Sequence, residues 1–138
     1  MTMRYPRQTP VPQLPKGYIE NGYFDKNGYA LAQLIIDWPK EIANNLQYGM
    51  ETAQLRRFFG EARRIERKIK AGVSFSSMVP DILRLEPYAA DAVKKNKAPL
   101  LFRQFIEQNL KWARKDEKSF LKGFMPHFES IVAYFPKK

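Results

Sequence analysis

The 138-residue chain contains no cysteine and a single histidine, His127. A disulfide framework and a thiolate metal site are therefore excluded, and we do not expect a transition-metal site built almost wholly from carboxylates. A cysteine nucleophile is also excluded, and His127 lies in a strongly apolar stretch, which favours a structural role over that of a catalytic base. We therefore predict no catalytic residue, no metal and no other cofactor.

Long apolar runs are missing as well. No stretch approaches the ~18 apolar residues that a transmembrane helix needs. The opening residues, MTMRYPRQTPVPQ, lack the apolar core of a secretory signal. We therefore expect a cytoplasmic protein.

Acidic residues are few beside the basic ones, since 24 Lys and Arg face 14 Asp and Glu and give a formal net charge of +10. A globular domain this basic usually binds a polyanion, with nucleic acid the first candidate and an acidic membrane surface the second. The local signatures of common nucleic-acid-binding folds are absent, including the RNP aromatic motif, the GXXG loop and paired Cys and His. Any contact with nucleic acid should therefore depend on charge and shape.

The patterning predicts an all-α fold. Apolar residues recur at helical spacing, no segment alternates with period two between turns, and 44% hydrophobic residues suffice for a core. We predict a compact bundle of about five or six helices over residues 28–138. Residues 1–27 hold four prolines, which predicts a flexible, disordered proline-rich tail. The alternative is an arm that orders on RNA or on a neighbouring subunit, with Tyr18, Tyr23 and Phe24 docking onto the domain.

Turn and breaker residues predict the helix boundaries. Asp25 or Asn27 can cap the first helix, and Pro39 should break or kink it, although Pro39 can also occupy the first turn of a new helix. Gly72 should end the most basic helix, and Pro126 should kink the last one.

Residues 50–72 form the most informative stretch. Their apolar side chains recur at three- and four-residue steps, as on one face of an α-helix, and are Leu55, Phe58, Phe59, Ala62, Ile65 and Ile69. The opposite arc carries Arg56, Arg57, Arg63, Arg64, Arg67, Lys68 and Lys70. Guanidinium groups suit phosphate oxygens, so this arc can be a contact surface for a phosphate backbone. A basic, solvated face that keeps the protein soluble is the alternative, and this helix alone does not decide between them.

Three stretches carry a family resemblance. Residues 51–58, ETAQLRRF, resemble the helix start Thr-(Thr/Ser)-x-(Ile/Leu)-Arg-(Lys/Arg)-(Phe/Leu), and residues 82–90, ILRLEPYAA, resemble a short helix with leucine, a charge and tyrosine-alanine. Residues 124–135, FMPHFESIVAYF, are close to the ending Phe-x-x-(Phe/Tyr)-Phe-Glu-(Ala/Ser)-(Ile/Leu)-Val-Ala-Tyr. Over roughly residues 28–136, the chain resembles the small subunit of type III-A CRISPR effector (Csm) complexes.

The resemblance implies an all-helical, non-catalytic structural subunit in antiviral defence, with copies stacked along a ribonucleoprotein and lining the channel of the guide RNA–target RNA duplex. RNA cleavage would belong to neighbouring subunits. The implied partners are guide RNA and target RNA, other Csm-type subunits and further copies of the chain itself, with no membrane. Arg56 and Arg57 carry over from the first motif as RNA-binding residues. Helical geometry extends the prediction along the same face to Arg63, Arg64, Arg67 and Lys68.

Two alternatives remain open from the sequence. The chain could be a free-standing basic helical protein that binds nucleic acid non-specifically. It could also be a basic adaptor for an acidic protein or membrane partner.

Overall fold

The computed structural model describes residues 11–136 and consists of helices joined by short turns. A 3₁₀ turn, Ala32–Leu34, precedes α1. The helices are α1 (Asp37–Leu46), α2 (Thr52–Lys70), α3 (Phe75–Leu83), α4 (Leu85–Lys94), α5 (Leu100–Ala113) and α6 (Met125–Tyr134), and a π-helical segment, Ser119–Phe124, runs directly into α6. Within the described residues there are six α-helices and no named strand, so the all-α prediction is confirmed.

The core lies where α5 and α6 meet α1, α2, α4 and the π-helical segment. Five phenylalanines are fully buried there: Phe102, Phe105, Phe120, Phe124 and Phe128. The apolar face of α2 reaches the same core, because Phe58 packs edge-on against Phe102 at 4.8 Å and Phe59 packs against Phe128 at 5.3 Å. The outward face of α2 is thereby fixed.

The end of α2 follows the sequence prediction. Gly72 has a φ of +108°, which an L side chain rarely adopts. The Gly72 amide donates to the Ile69 carbonyl, and the Val73 amide donates to the Lys68 carbonyl, as in a Schellman motif. The Ser74 hydroxyl then accepts from the Ser77 amide and begins α3.

The predicted tail needs correction. Tyr18, Ile19 and Tyr23 are buried in the core, so the expectation of a flexible segment through residue 27 is wrong for this stretch. The alternative of docked tyrosines describes it better. The first ten residues of the predicted tail lie outside the described residues.

A buried hydrogen-bond network explains why these tyrosines pack inside. The Tyr23 hydroxyl donates to Asn109 Oδ1 at 2.8 Å, and Asn109 Nδ2 donates to the Tyr18 oxygen at 2.8 Å. His127 Nδ1 lies 2.8 Å from the Leu34 carbonyl, which can only accept, so Nδ1 carries the proton and Nε2 accepts from Tyr18 at 2.6 Å. His127 is thus a satisfied structural histidine, as its apolar setting predicted. Burial lowers its pKa to about 4, and the ring is neutral near pH 7.

The first helix begins later than predicted. The Asp25 carboxylate accepts from the backbone amides of Asn27 and Tyr29 at 2.8 and 3.0 Å, and it closes a turn rather than capping a helix. The α-helix starts at Asp37, with Pro39 in its first turn, where a missing amide hydrogen costs little.

Pro126 lies in the first turn of α6, directly after the π-helical segment. The chain accommodates the proline by the wider π turn, which is a known way of relaxing a helix locally. In that segment Gly123 is buried, and a Cβ at this position would collide with the Tyr23 ring.

Candidate nucleic-acid interface

The outward face of α2 contains two kinds of basic residue. Arg63 and Arg64 are half-buried, whereas the other four predicted RNA-binding residues are exposed. These are Arg56, Arg57, Arg67 and Lys68, which we call the open basic face. The six predicted residues therefore do not share one environment.

Arg63 ties α2 to α6. Its Nη1 lies 2.9 Å from Glu66 Oε1 on the same helix, and its Nη2 lies 2.9 Å from Glu129 Oε2 on α6. The guanidinium carbon also sits 4.9 Å from the centre of the Phe59 ring. The hydrogen bond to Glu66 raises the pKa of Arg63 further.

Arg64 ties α2 to α3 in a similar way. It forms two hydrogen bonds with Glu61, at 3.2 and 2.8 Å, and a third with Asp81 Oδ2 at 2.8 Å. The bonds to Arg64 lower the pKa of the Glu61 and Asp81 carboxyls, which stay ionised. Most of the donors of this guanidinium are therefore engaged within the molecule, and its predicted RNA contact stays a prediction that this arrangement does not favour.

The open basic face is arranged in two rows. Arg56 and Arg67 are eleven residues apart, as are Arg57 and Lys68. Eleven residues make about three helical turns, so each pair shares one side of α2 at a separation of roughly 16 Å along the axis. None of these four residues forms an ion pair with any residue between 11 and 136. Their charges are therefore available to a partner.

A groove of about 410 Å³ opens beside Arg57, between α2 and α4. The turn after α4 borders the groove through Lys95 and Lys97, and the Lys97 carbonyl accepts from the Glu51 amide just before α2. Ten residues line the groove: Gln54, Arg57, Phe58, Glu61, Leu85, Tyr88, Asp91, Ala92, Lys95 and Lys97.

Sequence reasoning missed two residues of this groove. Gln54 is 9% exposed, although it is polar, and Tyr88 is 49% exposed, although it is aromatic. A signal for Gln54 was present, because it lies four residues before Phe58 and so falls on the buried stripe of α2. The turn at residues 94–97 is also cationic, with three lysines in four residues. The structure pairs Lys95 with Asp91 at 2.9 Å.

Within residues 11–136, no group of three or more metal-ligating side chains is placed to hold an ion. No helix of that part of the chain has the length and apolar character to cross a membrane.

A family model described as Csm2 Type III-A matches residues 30–137. No curated protein and no solved structure matches the chain.

Proposed function

The chain belongs to the Csm2 type III-A family, and on that premise we propose that it contacts the RNA backbone in a type III-A CRISPR ribonucleoprotein through the open basic face of α2. Because the match covers residues 30–137, the chain is a subunit of the Csm type, and the family is that of a structural subunit rather than a known enzyme. In our proposal the protein lines the channel of the guide RNA–target RNA duplex and performs no cleavage.

One observation carries the proposal: the open basic face holds four exposed cations that have no carboxylate partner in residues 11–136. Like charges on neighbouring turns repel each other, so the face is favoured when a polyanion neutralises it. Three of the four are arginines, whose planar forks can engage two phosphate oxygens at once. The two parallel rows suit a strand that runs along α2 for several phosphates.

The geometry refines the predicted set of RNA-binding residues. Arg56, Arg57, Arg67 and Lys68 remain candidates for direct phosphate contact. Arg63 and Arg64 hold α2 against α6 and α3, and we propose that they support the surface rather than form it.

The proposed partners follow from family membership and charge. They are guide RNA and target RNA, other Csm-type subunits and further copies of this chain, and the predicted cytoplasmic location suits such an assembly. Sequence selection would come from pairing between guide and target, so a shape- and phosphate-reading subunit is sufficient. The part of α2 that does not line the groove would then contact only the phosphate backbone of the RNA.

Purification of the tagged full chain from cells that express the native complex tests this function. We expect it to co-purify with other Csm-type subunits and with a guide RNA of defined length. Heterogeneous nucleic acid without those subunits would instead indicate a free-standing, non-specific binder. Partners that survive nuclease treatment and include no Csm-type subunit would indicate an adaptor.

A further inference from the structure

The groove between α2 and α4 contains a polar group without a partner. Gln54 is 9% exposed and lines the groove. Its side-chain amide forms no hydrogen bond with residues 11–136. The amide keeps access to solvent, since the side-chain nitrogen or oxygen that is both buried and without a hydrogen bond in residues 11–136 is Arg103 Nε. The Gln54 carboxamide is therefore accessible from the groove that it lines. Since it offers both donors and an acceptor, Gln54 is set up to bind a ligand with both kinds of group.

The remaining lining indicates the class of ligand. Tyr88 presents a half-exposed aromatic ring, and Arg57 and Lys97 lack ion-pair partners within the described residues. The groove also contains two carboxylates, but Glu61 is bound by Arg64 at 2.8 Å and Asp91 by Lys95 at 2.9 Å. The groove therefore offers an aromatic ring and an amide, with the cations Arg57 and Lys97 beside them.

We propose that this groove receives the base of one unpaired RNA nucleotide. The Tyr88 ring stacks on the base, the Gln54 amide hydrogen-bonds to its edge, and Arg57 and Lys97 hold the flanking phosphates. Unpaired RNA bases are recognised by this combination of stacking and edge contacts. The volume of about 410 Å³ lies within the range of small-molecule sites. This inference rests on the proposed function, because it adds a base contact to a strand that the open basic face holds by its phosphates.

Arg57 links the two surfaces. It belongs to the open basic face of α2 and also lines the groove. A strand bound along α2 therefore passes the mouth of the groove, and an unpaired nucleotide at that point can turn its base inward. A fully paired strand has no base to insert and would contact only the cations.

The test compares two RNAs that differ only in one base. One is a duplex with a single bulged adenosine, chosen because a carboxamide can pair with N6 and N7 of adenine at once. The other is the same duplex with an abasic residue in the bulge, so the number of phosphates is equal. The full-length protein should bind the adenosine bulge about 5- to 100-fold more tightly, as expected for one stacked base.

Variants assign that preference to the groove. Tyr88→Ala should bring the affinity ratio of the two RNAs close to one, whereas Tyr88→Phe should keep it, because the phenyl ring still stacks. Gln54→Leu should reduce the ratio with little change in side-chain volume. Tyr29→Ala is the matched control, since Tyr29 is 70% exposed and does not line the groove, and it should leave the ratio unchanged.

The outcomes separate this inference from the proposed function. Equal binding of both RNAs by the unmodified protein, with a normal salt dependence, would overturn the base site and leave the phosphate contact intact. A ratio in Tyr88→Ala equal to that in Tyr29→Ala would also overturn the base site. Failure to bind either RNA would overturn both proposals.

Discussion

The middle and the two ends of α2 all carry arginines on their outward side, and yet these arginines have different surroundings. In the middle, Arg63 and Arg64 lie beside Glu129 of α6 and Asp81 of α3, and both guanidinium groups are engaged. At the ends, Arg56 and Arg67 are exposed and have no such neighbour within residues 11–136. The packing of the surrounding helices therefore divides one basic stripe into structural ties and a surface that is available to a polyanion.

The largest effect should come from the packing that places α6 against α2. Phe128 is fully buried and contacts Phe59 of α2 edge-on, so Phe128→Ala should lower the free energy of unfolding by about 3–5 kcal/mol. Chemical denaturation measures this loss, with the exposed Tyr29→Ala as a control that should stay within about 0.5 kcal/mol. A near-neutral Phe128→Ala would mean that the ring points outward and that the α2–α6 contact has another basis.

A substitution at Gly123 tests how closely the π-helical segment packs against the buried Tyr23 ring. A Cβ there would collide with the buried Tyr23 ring, which cannot move without breaking its bond to Asn109, so Gly123→Ala should cost at least about 1–3 kcal/mol. Thermal unfolding measures the loss. Tyr23→Ala combined with Gly123→Ala should show strong non-additivity, since the collision disappears with the ring. Additive effects would contradict a close contact between Gly123 and the Tyr23 ring.

Lowering the pH should reduce the stability contribution of the buried His127 before that of the ion pairs on α2. His127 has a pKa of about 4 when folded against about 6.5 when unfolded, so its neutral form contributes stability that is complete above pH 6.5 and is lost as the pH falls toward 4. The total is about 3 kcal/mol. The bonds to Arg64 lower the pKa of the Glu61 and Asp81 carboxyls from 4.5 and 3.8, so their contribution begins to be lost only below those values.

Stability measured between pH 7 and pH 3 checks this order. His127→Gln should flatten the curve between pH 6.5 and 4, whereas Asp81→Asn should change only its most acidic part. A curve for His127→Gln that still falls steeply above pH 5 would show that another group controls the acid response.

The ion pairs of Arg64 should contribute less to the free energy of unfolding. Arg64 is 37% exposed in its side chain, so Arg64→Ala should cost about 0.5–1 kcal/mol. A double-mutant cycle with Asp81→Ala isolates the bond between α2 and α3. Arg57→Ala, at an exposed position with no ion pair in the described chain, should remain within about 0.5 kcal/mol of the unmodified protein. Equal losses of stability in Arg64→Ala and Arg57→Ala would contradict the distinction between arginines that form ion pairs and those of the open basic face.

Helical periodicity was enough to predict the fold class, the extent of α2 and its buried stripe, because those depend on residues three and four apart. It also contained the local partners Glu66 of Arg63 and Glu61 of Arg64, which are three residues away. The partners that divide the stripe were not visible, because Asp81 lies 17 residues from Arg64 and Glu129 lies 66 from Arg63.

The buried tyrosines show the same limit. Proline content near residue 15 suggested a loosely packed tail, but Tyr23 bonds to Asn109 over 86 positions and Tyr18 to His127 over 109. The groove could not be predicted either, since Gln54 of α2 and Tyr88 of α4 line one groove only in the folded chain. Composition describes a segment by its own residues, whereas burial depends on partners that are distant in sequence.

The salt dependence of RNA binding tests the central claim most directly. In Arg56→Ala combined with Arg57→Ala, the slope of log affinity against log salt should fall by about 1.4–1.8, as expected for two lost phosphate contacts at about 0.7–0.9 each. Arg63→Ala combined with Arg64→Ala removes the same charge from the same helix and should leave the slope unchanged while lowering stability. Equal slopes in the first double variant and the unmodified protein, or a larger fall in the second variant than in the first, would contradict the account.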